Sequence, residues 1–182
     1  MSVQKYFIAI VIPEPFQTEL MELKNVVKDK FNSKGALRSP AHITLHMPFE
    51  WKEEKEDVLV NTLKQFTFSE SFNINLQNFA CFEPRVLFVD VIKNELLEKL
   101  QRELMVYAQK NLGLLNQVND MRGFHPHVTI AFRDLKKDKF YQALDYFKTQ
   151  TYMASFQAES FCLLKHTGKE WLVNKEFFFA GN

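Results

Sequence analysis

The chain has 182 residues, of which 46% are hydrophobic and 25% are charged. This composition predicts a globular chain rather than a disordered or fibrous one, and its length favours a single domain. The 23 Lys and Arg residues nearly balance the 22 Asp and Glu residues, which leaves a net charge of +1. That balance excludes a protein that coats long nucleic acid by bulk charge, but it permits recognition of one phosphate or a strand end.

Cysteine spacing and hydropathy together predict a cytoplasmic protein. Cys81 and Cys162 lie far apart and fit no metal-binding spacing, so we expect two reduced thiols. The first apolar run ends at Pro13, and it is much shorter than the roughly 20 apolar residues that span a bilayer. The pattern of an export signal is not recognised either. We therefore expect a cytoplasmic location and no membrane partner.

Strand and helix signals alternate through the first half of the chain. A β-rich run at 6–12 predicts a strand. Apolar residues at helical spacing follow Pro15, a residue that is tolerated in a first helical turn. A second strand is expected at 42–49, a helix at 53–66 and a third strand at 72–82.

The same order recurs in the second half. In chain order, the sequence predicts a strand at 86–92, a helix capped by Asn94, a loop at 111–126, a strand at 127–132, a helix capped by Asp134, and closing strands at 154–165 and 171–179. We therefore expect an α/β (α+β) fold with a duplicated β-α-β-α-β order and an extra strand. Two lobes of antiparallel sheet with outer helices would enclose a central cleft. The chain would be one domain, 1–182, with half-repeats at approximately 1–83 and 84–182.

Two short segments repeat the pattern His-apolar-Thr-apolar. They are His42-Ile43-Thr44-Leu45 and His127-Val128-Thr129-Ile130, and the two histidines lie 127 − 42 = 85 residues apart. Because strand side chains alternate between faces, each histidine shares a face with its threonine, and the apolar residues take the other face. An unpaired imidazole and hydroxyl are costly to bury, so the polar face should line water or a cleft. The repeat predicts one site built from both segments.

These segments resemble the two motifs of the two-histidine phosphoesterase superfamily. Residues 42–49 (His-Ile-Thr-Leu-His-Met-Pro-Phe) match the first motif, and 124–131 (Phe-His-Pro-His-Val-Thr-Ile-Ala) match the second. The chain is most similar to the bacterial 2′-5′ RNA ligase / RNA 2′,3′-cyclic phosphodiesterase branch, over essentially its whole length. One departure is Phe132, which stands where many bacterial relatives have a basic residue. Arg133 follows it and would point to the other face of a regular strand.

The resemblance implies an enzyme that opens a 2′,3′-cyclic phosphate on an RNA end or small nucleotide to a 2′-phosphate, with reverse ligation at the same site. Histidine can give or take a proton at neutral pH. Proton transfer would fall to His42 and His127, and the resemblance favours His127 as the base and His42 as the acid in hydrolysis. The Thr44 and Thr129 hydroxyls would bind the phosphate oxygens, where charge builds up in the transition state. The scheme needs no metal and no cofactor. A monomer is expected because one chain supplies both half-sites.

Secondary candidates flank the two motifs. If both strands stay regular, His46 lies on the His42 face and His125 on the His127 face, where they could bind phosphate or ribose. Trp51 is a candidate for stacking on a base. Further candidates are arginines that could hold an RNA backbone and aromatic residues that could stack on a base: Arg38, Arg122, Arg133, Phe49, Phe124 and Trp171. Each of these residues also has an ordinary explanation, either solvent exposure or core packing.

Three alternatives remain open on the sequence alone. Histidines such as His125 and His127 could bind zinc, although neither cluster has an adjacent acidic residue on its face and threonine is a poor zinc ligand. The cleft could instead belong to a non-catalytic module that binds nucleotides or RNA ends. The substrate could also be another small cyclic phosphate, which would need the same chemistry.

Overall fold

The computed structural model describes residues 2–116 and 123–180, and these ranges contain eight β-strands and four α-helices. The strands are β1 (Val3–Val11), β2 (His42–Lys52), β3 (Phe72–Phe82), β4 (Val86–Val91), β5 (His127–Ala131), β6 (Met153–Ala158), β7 (Ser160–His166) and β8 (Trp171–Phe178). The helices are α1 (Phe16–Phe31), α2 (Glu56–Lys64), α3 (Glu95–Leu112) and α4 (Lys137–Lys148). Short 3-10 segments at Gly35–Arg38 and Glu53–Lys55 precede β2 and α2.

The eight strands form one antiparallel sheet in the order β6-β3-β4-β5-β2-β1-β7-β8. The predicted α/β fold with antiparallel sheet and packed helices is confirmed. The two histidine strands, β2 and β5, are neighbours at the centre of the sheet, with α3 against β2 and α1 against β5. None of the described helices is long and apolar enough to cross a membrane.

The link between β6 and β7 shows how strongly the sheet curls. Only Glu159 separates these strands along the chain, yet they are six positions apart in the sheet. Six inter-strand spacings of about 4.8 Å would put them about 29 Å apart in a flat sheet, whereas one residue spans only about 3.5 Å. The sheet must therefore bend until its β6 edge approaches β7. This break also corrects the predicted strand at 154–165, which is two strands with different neighbours.

One predicted helix cap is confirmed and the other is wrong. The Asn94 side chain accepts a hydrogen bond from the Leu97 amide at 3.0 Å, as expected of an N-cap. Helix α4 is instead preceded by Lys136, which makes no side-chain cap bond. Asp134 lies too early to cap α4, because β5 ends at Ala131 and the chain needs several residues to reach the helix.

Asp134 joins the two halves of the chain instead. Its carboxylate accepts hydrogen bonds from Ser33 Oγ at 2.7 Å, Lys34 N at 2.8 Å and Gly35 N at 2.9 Å. Burial opposes ionisation of this carboxyl, but these three bonds hold the pKa of Asp134 below its ordinary value. Because the Ser33–Gly35 segment leads into β2 and Asp134 follows β5, the contact fixes the ends of the two histidine strands relative to each other.

We expect Asp134→Ala to lower the free energy of unfolding by about 2 kcal/mol, since it leaves several donors without their charged acceptor. A carboxyl with a lowered pKa stabilises the folded state above its unfolded pKa, and that contribution is lost as the pH falls through the folded value. Urea unfolding at neutral pH should therefore separate the variant from wild type, and the difference should shrink below about pH 4. The control Asp29→Ala removes an exposed surface ion pair with Lys28, so it should change stability by less than about 0.5 kcal/mol. Equal stability of Asp134→Ala and wild type would contradict this role.

Candidate active site

The two histidine strands meet at one central residue pair. Ile43 of β2 pairs with Val128 of β5 in antiparallel register. If antiparallel register held for one residue on either side of this pair, His42 would lie opposite Thr129 and Thr44 opposite His127, and residues directly opposite each other share a face. The apolar partners point the other way, since Ile43 and Val128 are both fully buried in the core.

The structure thus brings the four side chains of the predicted site together on one face. His42, Thr44, His127 and Thr129 are each partly exposed, in alternation with buried neighbours on both strands. A group bound at this centre would have an imidazole and a hydroxyl on each side.

Both histidine rings are held in the same way. His42 Nδ1 lies 2.7 Å from the Pro40 carbonyl oxygen, and His127 Nδ1 lies 2.7 Å from the His125 carbonyl oxygen. A carbonyl only accepts hydrogen bonds, so Nδ1 carries the proton in each ring. Nε2 is therefore the proton-accepting nitrogen of each neutral ring, and two such nitrogens suit a pair of proton transfers.

The surroundings of His42 strongly disfavour its charged form. Burial, together with the positive charge of Lys24 and the nearby His127, lowers the pKa of His42 to about 4, although the bond to the Pro40 carbonyl opposes the shift. His42 is therefore neutral at pH 7 in the protein without ligand. A phosphate anion beside it would favour protonation, because an opposite charge stabilises the imidazolium.

Aromatic rings flank the histidines on both sides. The first aromatic wall consists of Phe7 and Trp171: the Phe7 ring centroid lies 4.8 Å from that of His42 and 4.7 Å from that of Trp171. The second aromatic wall consists of Phe82 and Phe88, whose centroids lie 5.2 Å and 4.8 Å from that of His127. Trp171 and Phe82 are partly exposed and can support a stacked base, whereas Phe7 and Phe88 are buried behind them.

Sequence reasoning named Trp171 but missed the three phenylalanines of these walls. Phe7 and Phe88 belong to apolar strand runs, β1 and β4, which are usually assigned to the core. Their position in the first strand of each half was the available signal, since a duplicated chain repeats its site-lining residues along with its histidines.

The prediction that His46 shares the His42 face is wrong. Ala9 of β1 pairs with Thr44, but the next residue, Ile8, pairs with His46. One extra β2 residue is therefore inserted between these pairs, and a bulge of this kind turns the following side chains to the other face. His46 is 1% exposed, its Nδ1 bonds the Met47 carbonyl, and Nε2 finds no hydrogen-bond partner in the described part of the chain. Burial accordingly lowers the pKa of His46.

Trp51 also lies away from the site. It is nine residues beyond His42 in β2, which corresponds to about 30 Å of extended strand. Its indole donates a hydrogen bond to the Lys55 carbonyl at 2.8 Å and packs against the core. The predicted stacking role of Trp51 at the histidine pair is therefore wrong. Phe49 and Phe124 also pack against the core.

The remaining flanking candidates have mixed positions. His125 lies near the site: its ring centroid is 6.2 Å from that of His127, and its Nε2 contacts Asp90 Oδ1 at 3.1 Å. Arg133 follows the end of β5 with a φ of 60°, and its guanidinium stacks on the exposed Phe132 ring at 4.8 Å. Arg38 is exposed at the end of a 3-10 segment, and Arg122 lies outside the described residues.

Two pockets on the protein surface do not include the predicted site. They have volumes of about 250 and 260 Å³, lie beside β8 and contain none of the four His-x-Thr residues. Within residues 2–116 and 123–180, no group of three or more His, Cys, Asp or Glu side chains is placed to hold a metal ion. The chemistry that this arrangement offers is proton transfer and hydrogen bonding by side chains.

Comparison with known proteins places this arrangement in a family. The model of the 2′-5′ RNA ligase superfamily matches residues 12–170. Two proteins with provisional phosphoesterase names, from Geobacillus kaustophilus and another Geobacillus strain, are 28% and 26% identical in alignments of 181 positions that cover 97% of this chain and 97% of each relative.

Solved structures agree on the fold. Escherichia coli LigT in its apo form superimposes with a TM-score of 0.68 at 18% identity, covering 98% of this chain and 99% of LigT. The protein TT0787 of Thermus thermophilus gives a TM-score of 0.67 at 21% identity, with the same coverage. Because the family match spans most of the sequence and the fold agrees over nearly its whole length, this chain belongs to the 2′-5′ RNA ligase superfamily.

Proposed function

We propose that this protein is a metal-independent phosphodiesterase that opens 2′,3′-cyclic phosphates of RNA ends or nucleotides to 2′-phosphates. The observation that carries this proposal is the pairing of the two His-x-Thr strands at Ile43 and Val128, which brings both histidines and both threonines to one face of the sheet. The same site would catalyse 2′-5′ ligation when a ribose 5′ hydroxyl replaces water as the nucleophile. One chain supplies both half-sites, so the protein would act as a monomer.

The proposed hydrolysis is an in-line displacement at phosphorus. His127 Nε2 takes a proton from water as the water oxygen bonds to phosphorus. The bond from phosphorus to the 3′ oxygen breaks, and His42 Nε2 gives its proton to that oxygen. The products are a 3′ hydroxyl and a 2′-phosphate, and the two histidines have exchanged protonation states. Ligation follows the same steps with a ribose 5′ hydroxyl in place of water, so His127 takes the proton of that hydroxyl and His42 again protonates the departing 3′ oxygen. The two roles exchange only in the reverse reaction, cleavage of the 2′-5′ bond.

The low pKa of His42 is compatible with its proposed role as the acid. The phosphate anion raises the pKa of the ring when it binds, so the complex contains the protonated form that the free protein lacks. As charge moves from the phosphate to the departing oxygen, the buried ring readily gives up the proton. Thr44 and Thr129 hydroxyls would donate hydrogen bonds to the non-bridging oxygens throughout.

The aromatic walls favour a nucleotide as the substrate. A base can stack on Trp171 or on Phe82 while its phosphate lies between the histidines, a contact worth about 1–3 kcal/mol. The LigT structures that share this fold include complexes with 3′-AMP, NADP+ and ATP, which supports a nucleotide-sized ligand here. A terminal or free nucleotide also suits the net charge of +1 better than a long duplex does.

The decisive experiment is multiple turnover of a short oligonucleotide that ends in a 2′,3′-cyclic phosphate, in excess EDTA. We expect wild-type protein to turn over many times and to release a 2′-phosphate, identified by phosphorus NMR. Turnover that stops when metal is chelated would favour a metal site instead. Tight binding without turnover would favour the second candidate, a module that binds RNA ends, and turnover of another cyclic phosphate alone would change the substrate.

The pH dependence of kcat/KM should show two limbs, because one histidine must be protonated and the other neutral. We expect the acid limb near pH 4, the pKa of His42 in the free protein, and well below the ordinary histidine value. Activity should rise as the pH increases through that value, since the doubly protonated site has no base. Initial rates with the cyclic-phosphate oligonucleotide at low concentration measure this profile. An acid limb near pH 6.5, or no limb between about pH 3 and 9, would contradict the assignment.

A further inference from the structure

A lysine lies inside the molecule behind His42. Lys24 belongs to the buried stripe of α1, between the apolar Leu20 and Val27, and its side chain is 1% exposed. No ion pair is found for it among the residues that the structure describes. Burial lowers the pKa of Lys24 to about 8, so it remains mostly charged at pH 7. A buried cation without a counter-ion is costly, and apolar packing alone does not account for it.

Lys24 and His42 are connected through hydrogen bonds to two successive backbone carbonyl groups. Its Nζ donates to the Ser39 carbonyl oxygen at 2.9 Å. The next residue, Pro40, offers the carbonyl oxygen that lies 2.7 Å from His42 Nδ1. The ammonium therefore holds, from the core side, the turn that orients the His42 ring.

Few other charged groups act on the pKa of His42. Among the described residues, the titratable groups that act on His42 are Lys24 from α1 and His127 from β5. Strand β1 contributes only the apolar Phe7, in ring contact, and Val11, in register. The corresponding stripe of α3 buries no charge: its buried residues are Leu97, Leu100, Leu104 and Ala108. The buried cation thus distinguishes the first half-site from the second.

We propose that Lys24 is a positioning residue for His42, which fixes the Ser39–Pro40 turn and places a positive charge behind the phosphate site at neutral pH. This role deepens the proposed phosphodiesterase function and rests on it for its effect on rate. The charge would make His42 a stronger acid towards the departing oxygen and would attract the phosphate anion. Both effects follow from the same Coulomb interaction.

Histidine NMR titration of the free protein tests the proposal without any substrate. Lys24→Met keeps the length of the side chain and removes its charge, whereas Lys24→Arg keeps the charge. We expect Lys24→Met to raise the pKa of His42 by about one unit, a tenfold tighter hold on the proton, and Lys24→Arg to keep it low. The matched control is Lys28→Met, one turn along the same helix and exposed, which should titrate like wild type. A folded Lys24→Met in which His42 titrates as in wild type would overturn the proposal.

Sulfate binding by the wild-type protein provides a second measurement, which does not depend on the folding of any Lys24 variant. Sulfate keeps its double charge across the range from about pH 7.5 to 9.5, and His42 is neutral there. We expect sulfate affinity to fall about tenfold between about pH 7.5 and 9.5, as Lys24 loses its proton. A flat affinity over that range would overturn the proposal.

The outcomes for Lys24 and for the phosphodiesterase activity can be told apart. The His42 pKa could respond to Lys24→Met, and sulfate affinity could fall with pH, in a protein that turns over no cyclic phosphate. That result would refute the proposed function and keep the Lys24–His42 coupling. A protein that turns over the substrate, with a His42 pKa that does not respond to Lys24→Met, would keep the function and refute the coupling. In the active enzyme, Lys24→Met should also move the acid limb of kcat/KM upwards by about one pH unit.

Discussion

Replacing either central histidine by alanine is expected to lower kcat/KM for a 2′,3′-cyclic phosphate by about 10³-fold, within the range for lost general acid or base catalysis. The expectation follows from the pairing of β2 with β5 at Ile43 and Val128, which brings His42 and His127 to the same face of the sheet. His166→Ala is the matched control, because this histidine contacts Trp171 but lies outside both His-x-Thr segments. It should keep kcat within about threefold of wild type. A folded His42→Ala or His127→Ala enzyme with more than a tenth of wild-type activity would contradict proton transfer by that residue.

The same variants can assign the two roles. A nucleoside phosphodiester with a nitrophenol leaving group needs no proton on the departing oxygen. If His42 is the acid in hydrolysis, His42→Ala should recover most of its lost rate on this substrate, whereas His127→Ala should stay slow. Recovery by His127→Ala alone would exchange the two roles. Measuring both variants on both substrates separates the question of role from the question of whether the histidines act at all.

Removing one threonine hydroxyl is expected to cost on the order of 10²-fold in kcat, by analogy with the loss of one donor from an oxyanion hole. Thr44→Val and Thr129→Val keep the shape of the side chain and delete the donor, and Thr→Ser at each position keeps the donor. The serine variants should therefore stay within about tenfold of wild type. Single-turnover rates measure the chemical step directly. A valine variant within threefold of wild type would remove that threonine from the proposed mechanism.

Alternation along strands was enough to predict which side chains share a face within each histidine strand, but not that the two strands are neighbours in the sheet. His42 and Thr44 share a face because side chains in a strand repeat every two residues, and the same holds for His127 and Thr129. The apolar residues between them, Ile43 among them, then had to be buried. The antiparallel pairing of the two strands then places the four side chains on one surface, and this pairing is a long-range contact.

Irregularities in the backbone explain the failures. The bulge beside Leu45 turns the His46 side chain to the other face of the sheet. The local sequence does not indicate where one strand has an extra residue relative to its neighbour. The break between β6 and β7 at Glu159 was not predictable either, because the residues on both sides of it favour strands. Asp134 is a good helix cap by residue type, but its partners lie about 100 residues away in the chain. Such contacts depend on tertiary structure, which a single sequence pattern does not encode.

Lys24 was missed for a different reason. Its position in α1 matches the apolar stripe, but lysine itself predicts an exposed face. A charged residue therefore interrupts the apolar stripe of the helix, and nothing in the sequence connects this residue with Ser39 or His42. A charged residue at a buried helical position is worth examining as part of a site, because its burial needs a compensating interaction.

The pairing of Ile43 with Val128 has the symmetry of a contact between two identical subunits. In a twofold interface, residue i of one copy meets residue j of the other, and j meets i; here Ile43 and Val128 hold the same position in the two His-x-Thr segments. A dimer with such an interface would lose its site on dilution, because assembly depends on concentration. In this chain the two halves are covalently joined, and the last strands, β7 and β8, return to the half that holds β1 and β2. Dilution therefore cannot separate the two half-sites.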